Sequence, residues 1–171
     1  MGLYLIANGA TQSTAALVPV TTGTVIKTML QLKLNASANN TGKIVEWGVS
    51  FDGAAAATPG RVELFACTGA ATVTAHVAAG IINLTDPNAS AVTTGFPFDL
   101  STTTTGYTAS AEGTAAAVRN LDSPQFIAPT TQYQKQFPLG REPQFRGAEL
   151  VRVRVTFAAA VNCYCYVIVE A

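Results

Sequence analysis

The stretch Lys43-Ile44-Val45-Glu46-Trp47-Gly48-Val49-Ser50-Phe51-Asp52-Gly53 sets the strongest limit on how this chain can fold. Successive side chains of a strand face opposite ways, which puts Val45, Trp47, Val49 and Phe51 on one face and Glu46, Gly48 and Ser50 on the other. The pattern predicts a half-buried strand with the only tryptophan as its core anchor. Its last two residues, Asp52-Gly53, are a turn dipeptide and predict a chain reversal there. Nothing in the stretch is reactive.

The same alternation recurs along the chain. Thr24 to Leu34 places Ile26, Thr28, Leu30, Leu32 and Leu34 on one face, with Lys27, Gln31 and Lys33 opposite. Arg61 to Cys67 sets Val62, Leu64 and Ala66 against Glu63, Phe65 and Cys67, and Thr72 to Val77 is rich in β-branched residues. Gln132 to Phe137 alternates Tyr133, Lys135 and Phe137 with three glutamines before the rigid run Pro138-Leu139-Gly140-Arg141-Glu142-Pro143. Leu150 to Phe157 and Val161 to Val169 predict a hairpin across Ala158-Ala159-Ala160. Asn35 to Gly42 is a run of turn formers, and the alanines at 54–57 are stopped by Thr58-Pro59-Gly60 too soon for a stable helix. Many short strands with frequent Gly, Pro and Asn turns predict an all-β, single-domain β-sandwich, jelly-roll-like, over residues 21–171. Residues 1–20 read as an extended N-terminal arm or edge strand.

At 171 residues the chain suits one domain that can bury a full core. Hydrophobic residues reach 49% and charged ones only 12%, about half the usual share, so Thr, Ser, Ala, Asn and Gln must cover much of the surface. Such a surface suits burial against other subunits. Ten basic and ten acidic residues leave no net field to attract nucleic acid or anionic lipid, so neither is expected as a partner. Three cysteines are too few for a disulfide scaffold and point to a reducing cytoplasm as the place of synthesis. Met1 to Ile6 carries no basic leader, and Ile6 stands where a myristoylation signal needs Ser or Thr, so neither secretion nor lipid anchoring is expected. No apolar run approaches the roughly 18 residues that span a bilayer.

Candidate chemistry is sparse. Cys67, Cys163, Cys165 and His76 match the ligand types of a Cys3His zinc site, but Cys163 and Cys165 lie two apart on a predicted strand rather than in a Cys-x2-Cys knuckle, and buried thiols are the preferred reading. His76, the only histidine, has no nucleophile-elbow glycines around it. Thr41-Gly42-Lys43-Ile44 fails as a phosphate-binding loop because Ile44 replaces the required hydroxyl residue. Glu112 with Asp52 or Glu46 would give a carboxylate pair for sugar hydrolysis, yet nothing in the sequence sets their separation. No catalytic residue, metal, cofactor or small-molecule substrate is assigned. Among the aromatics, Trp47 and its face belong to the core, while Tyr164 and Tyr166 lie opposite the apolar stripe of their strand and are the better candidates for exposed contacts.

The ordered segments Val45 to Gly53, Arg61 to Leu64, Thr72 to Val77, Gly106 to Gly113 and Gln134 to Pro143 together resemble small virion-structural proteins of tailed bacteriophages, especially of actinobacterial hosts, of the capsid decoration or minor structural type. The likeness runs from Lys43 to Val155. It implies a β-sandwich that coats and reinforces an assembled head on the capsid exterior. The partners implied are the major capsid protein and further copies of the chain, with a trimer the leading homo-oligomer. A tail or head-fibre module that binds host cell-surface glycans is the alternative. The contact candidates are Leu3, Tyr4, Leu5, Ile6, Leu17 and Val18 in the arm, where a strand can be added to a neighbour's edge. Tyr133, Lys135, Arg141, Glu142 and Arg146 form a second set around the proline turn, and Tyr164 and Tyr166 a third.

Overall fold

In a computed structural model, which describes residues 2–9, 18–35, 41–54, 58–86, 97–124 and 127–171, the chain forms two antiparallel sheets packed face to face. The expectations at Leu17 and over 36–40, 55–57 and 87–96 lie outside the described residues. The strands are β1 (Leu3–Ala7), β2 (Val20–Thr21), β3 (Lys27–Lys33), β4 (Thr41–Asp52), β5 (Arg61–Cys67), β6 (Thr72–Ala75), β7 (Ile81–Asn83), β8 (Gly106–Ala111), β9 (Arg119–Asp122), β10 (Gln132–Gln136), β11 (Gln144–Arg146), β12 (Leu150–Thr156) and β13 (Asn162–Glu170). A seven-stranded sheet runs β10-β4-β13-β1-β7, with β11 also on β4 and β2 also on β13; a six-stranded sheet runs β6-β8-β3-β12-β5-β9. Among the described residues the only helical segment is the 3-10 turn Ala78–Gly80, and no helix is long and apolar enough to cross a membrane. This is the β-sandwich that the alternating pattern predicts.

The core lies between the sheets. Trp47, Val49 and Phe51 of β4 and Cys163, Cys165, Val167 and Val169 of β13 face Leu30 and Leu32 of β3, Val62 and Leu64 of β5, and Val151, Val153 and Val155 of β12. Each such side chain, once fully buried, contributes about 1.5–3 kcal/mol through the hydrophobic effect.

Four expectations are corrected. First, β12 and β13 are not a hairpin: β12 is central in the six-stranded sheet and β13 in the seven-stranded one. Alternation reveals which residues face the core but is silent on which wall of the core they line. Second, Asp52-Gly53 does not reverse the chain within a sheet. β4 leads across to β5 of the other sheet, and Gly53, which donates its N–H to the Pro129 carbonyl at 2.8 Å, serves close packing, since a Cβ there would sit 2.7 Å from Val161 Cγ1. Third, the facing pairs Val153↔Leu30 and Arg154↔Thr28 show a bulge that turns Met29 into the core and Thr28 to the outer face, while Ile26 is 41% exposed. A similar shift opposite Ile168 and Val169 takes Val45 out of the core row and brings in Ile44. Fourth, within the stretch read as an arm or edge strand, Leu3–Ala7 are neither. β1 pairs with β13 on one side and β7 on the other, because Tyr4 and Ile6 supply an inward apolar face that five residues of strand can seat.

Candidate functional site

The outer faces of the two sheets differ. On the six-stranded sheet the outward residues Phe65, Cys67 and Leu150 are covered by Ala70 and Ala115. Arg152 lies on that same outer face with only 1% exposure and binds Thr28 Oγ1 at 2.6 Å, Glu112 Oε2 at 2.5 Å and the carbonyls of Gly69 and Glu112. Glu112 also accepts from the Thr28 backbone N–H. Around Arg152 that face is closed by its own loops, while Arg61, Glu63 and Arg154 along it reach solvent.

The outer face of the seven-stranded sheet carries a continuous half-exposed surface instead. The facing pairs place Gln134, Gly48, Tyr166 and Ala7 in one row across β10, β4, β13 and β1, and Gln136, Glu46, Ile168, Leu5 and Ile82 in the next. One half is therefore polar and aromatic, the other apolar. Gly48 is the reason Tyr166 can lie flat, since a Cβ at that position would sit 2.6 Å from the Tyr166 ring. Tyr166 Oη donates to Glu46 Oε1 at 2.6 Å, and Gln134 Nε2 donates to the same oxygen at 2.8 Å. Tyr164 stands beside Tyr166 with ring centroids 6.1 Å apart. A shallow groove follows the pair, lined by Tyr164, Tyr166, Ser50, Gln132 and Gln134. Burial, then the bond to Glu46 and its charge, push the Tyr166 hydroxyl above its ordinary pKa, and burial does the same for Tyr164.

The other contact candidates fall in different places. Leu3 and Leu5 point outward onto the apolar half of this face, whereas Ile6 is fully buried and Tyr4 packs edge-on against Phe98 at 5.6 Å. Val18 is 77% exposed. Tyr133 and Lys135 are turned toward the interior: both bind Asp122 of β9, at 2.9 and 3.0 Å, beside the Trp47 ring. Together with Asp122 they form a clasp between the sheets. Arg141, Glu142 and Arg146 make no ion pair among the described residues, and the turn before them lifts Leu139 to 96% exposure, with Gly140 at φ +79° and Arg141 N–H bonded to the Pro138 carbonyl at 2.9 Å. Backbone N–H groups of Glu142 itself and of Gly140, with Lys43 nearby, hold the Glu142 carboxyl below its usual value.

The motifs weighed for chemistry are scattered. Cys163 and Cys165 face the core, Cys67 lies under loops on the opposite outer face, and no three of His, Cys, Asp or Glu gather among the described residues. His76 is buried, with Nε2–H donating to the Ala7 carbonyl at 2.8 Å and its ring 4.8 Å from Tyr107. Glu46 and Glu112 occupy opposite outer faces. The sequence reading missed Glu46, Gln132, Gln134 and Ile168 as members of one face; the usable signal was Gly48, a glycine in the middle of a strand whose neighbours are otherwise large.

Geometry defines the class as a two-sheet β-sandwich whose six-stranded sheet is closed over Arg152 and whose seven-stranded sheet presents a half-exposed outer face. No family model, no curated protein and no solved structure matches the chain.

Proposed function

We propose that the protein is a non-enzymatic phage virion protein that decorates the assembled head, meeting the major capsid protein through the outer face of the seven-stranded sheet. The observation that carries this reading is the asymmetry of the two outer faces, one closed over Arg152 and the other presenting Leu3, Leu5, Ile82 and Ile168 without a covering layer among the described residues. A contiguous apolar patch rimmed by polar groups marks a protein contact surface. The low charge of the chain lowers the desolvation cost of packing that face against a shell. The sequence likeness to virion-structural proteins supports the same role. Imaging of purified particles tests it: stoichiometric copies over the whole head are expected, and a few copies at the tail tip would sink the reading. Ile82→Glu, on the exposed rim at 38% exposure, should lose attachment and keep the fold.

The Tyr164 and Tyr166 pair favours a second reading, a tail or head-fibre module for host glycans, because adjacent aromatic rings beside amide and carboxylate groups suit stacking and hydrogen bonding to sugars. Loss of host-cell adsorption in Tyr164→Ala, with head occupancy unchanged, would select it over the first.

A further inference from the structure

The strands that end the two sheets are not equally guarded. At the edges of the six-stranded sheet, β6 and β9 both meet their neighbours with register shifts, and β7, at one edge of the other sheet, has only three residues. Bulges and shortness are the usual ways of preventing edge-to-edge pairing. β10 has neither, since Gln132 to Gln136 pair with β4 in an unbroken register. Flanking bonds fix which of its amides are used: Phe137 N–H donates to the Val45 carbonyl and Phe51 N–H to the Thr131 carbonyl. By antiparallel alternation Tyr133 and Lys135 face β4, and the N–H and C=O groups of Gln132, Gln134 and Gln136 point away from the sheet. Those three residues are exposed, and no described strand pairs on that side.

We infer that β10 is a self-pairing edge, through which two copies of this chain join antiparallel about a two-fold axis at Gln134 to form one continuous sheet. The inference deepens the expectation that the chain associates with itself, and replaces the three-fold arrangement with a two-fold one. The strand is self-complementary in that register. Gln134 faces Gln134 of the second copy, Gln132 faces Gln136, and on the inner side Tyr133 faces Lys135. The three outward pairs exchange about six backbone bonds, two for each hydrogen-bonded pair. Lys135 is the residue type that normally repels an incoming strand, but its ammonium is held 3.0 Å from Asp122 behind the strand. No unpaired charge therefore faces the axis. Pro138 ends the edge, because it is the next position whose amide would point outward and it has no N–H.

Sedimentation equilibrium of the full chain at about 50 µM, without capsids, tests the inference, since a dimer whose Kd lies well below that concentration is then the main species. The mass expected is twice the 17.7 kDa of one chain. Gln134→Pro should sediment as a single chain, since the amide it removes is not used by β4. If that variant fails to show native Trp47 fluorescence, Gln134→Lys, which sets two ammoniums across the axis, gives the same readout. A wild-type protein that sediments as one chain or as three overturns the inference, as does either folded variant that remains a dimer. Head attachment is measured separately on particles, so a monomer that still coats heads removes the interface and leaves the proposed role standing.

Discussion

Trp47 Nε1–H donates to Asp122 Oδ2 at 3.1 Å, and through this bond the core tryptophan of one sheet is tied to an edge strand of the other. The same carboxylate accepts from Tyr133 Oη at 2.9 Å and Lys135 Nζ at 3.0 Å, and its side chain is only 12% exposed. Asp122→Ala removes one acceptor and leaves three donors short, at a cost of about 2–4 kcal/mol. Urea unfolding followed by Trp47 fluorescence reads the loss, and a change below about 0.5 kcal/mol, the size of an ordinary surface substitution, would contradict the clasp.

Burial, followed by the bond to Asp122 and its charge, pushes Tyr133 up to about 12. The unfolded chain ionises this group near 10 and the folded one near 12. The stabilisation is therefore complete below pH 10 and is lost as the pH rises through 12. Tyr133→Phe should show a shallower fall in stability over that window; equal slopes in the two proteins would rule out the linkage.

Among the described residues Glu112 is the only carboxylate paired with the guanidinium of Arg152. Glu112→Ala strands that charge under the loops and should cost about 3–5 kcal/mol. Replacing both, as Glu112→Leu with Arg152→Met, should cost less than the single change because no buried charge is left unpaired. A double variant less stable than Glu112→Ala would show that the guanidinium is held by its carbonyl and Thr28 contacts instead.

Burial holds His76 below its ordinary value of 6.5, outweighing the opposing effect of its bond to the Ala7 carbonyl. A depressed histidine favours the neutral form in the folded protein, whereas the unfolded chain takes up a proton near pH 6.5. Stability is thus present above pH 6.5 and falls as the pH drops below it. His76→Gln should flatten the stability profile as the pH falls below 6.5. Persistence of the full slope in that variant assigns it to other groups.

Gly48→Ala should shift the Tyr166 ring, cost about 1 kcal/mol and separate its hydroxyl from Glu46. Alkaline titration at the tyrosinate absorbance should then show one tyrosine returning toward 10. An unchanged curve would mean that the ring adapts without losing its bond.

Most strands were visible in the sequence because a half-buried sheet enforces a period of two, as β5 shows residue for residue with Val62, Leu64 and Ala66 inward. What stayed hidden was whatever a one-residue irregularity controls. Alternation assigned Thr28 to the core with Leu30, and a single bulge at Met29 sent it to the outer face beside Arg152. Partnership between strands was equally hidden, since Val153 and Val167 carry the same pattern on opposite walls. The clasp at Asp122 had no local signature, because it joins Trp47, far back in the chain, to Tyr133 and Lys135 of the next strand, and β9 and β10 lie in different sheets. Parity set Tyr164 and Tyr166 opposite the apolar stripe of β13 and Tyr133 and Lys135 on the side of Phe137, and the strands keep both assignments, but parity carried no sign that the second pair reaches Asp122.

β13 lies between β4 and β1 and also carries β2, so the centre of the seven-stranded sheet comes after all its other described strands in chain order. Until β13 is made, β1 has only β7 beside it, and β4 only β10 and β11, among the described strands. Closing this sheet therefore waits for the pairing of strands far apart in the chain, and long-range pairing of that kind slows folding and leaves apolar strands exposed in the meantime.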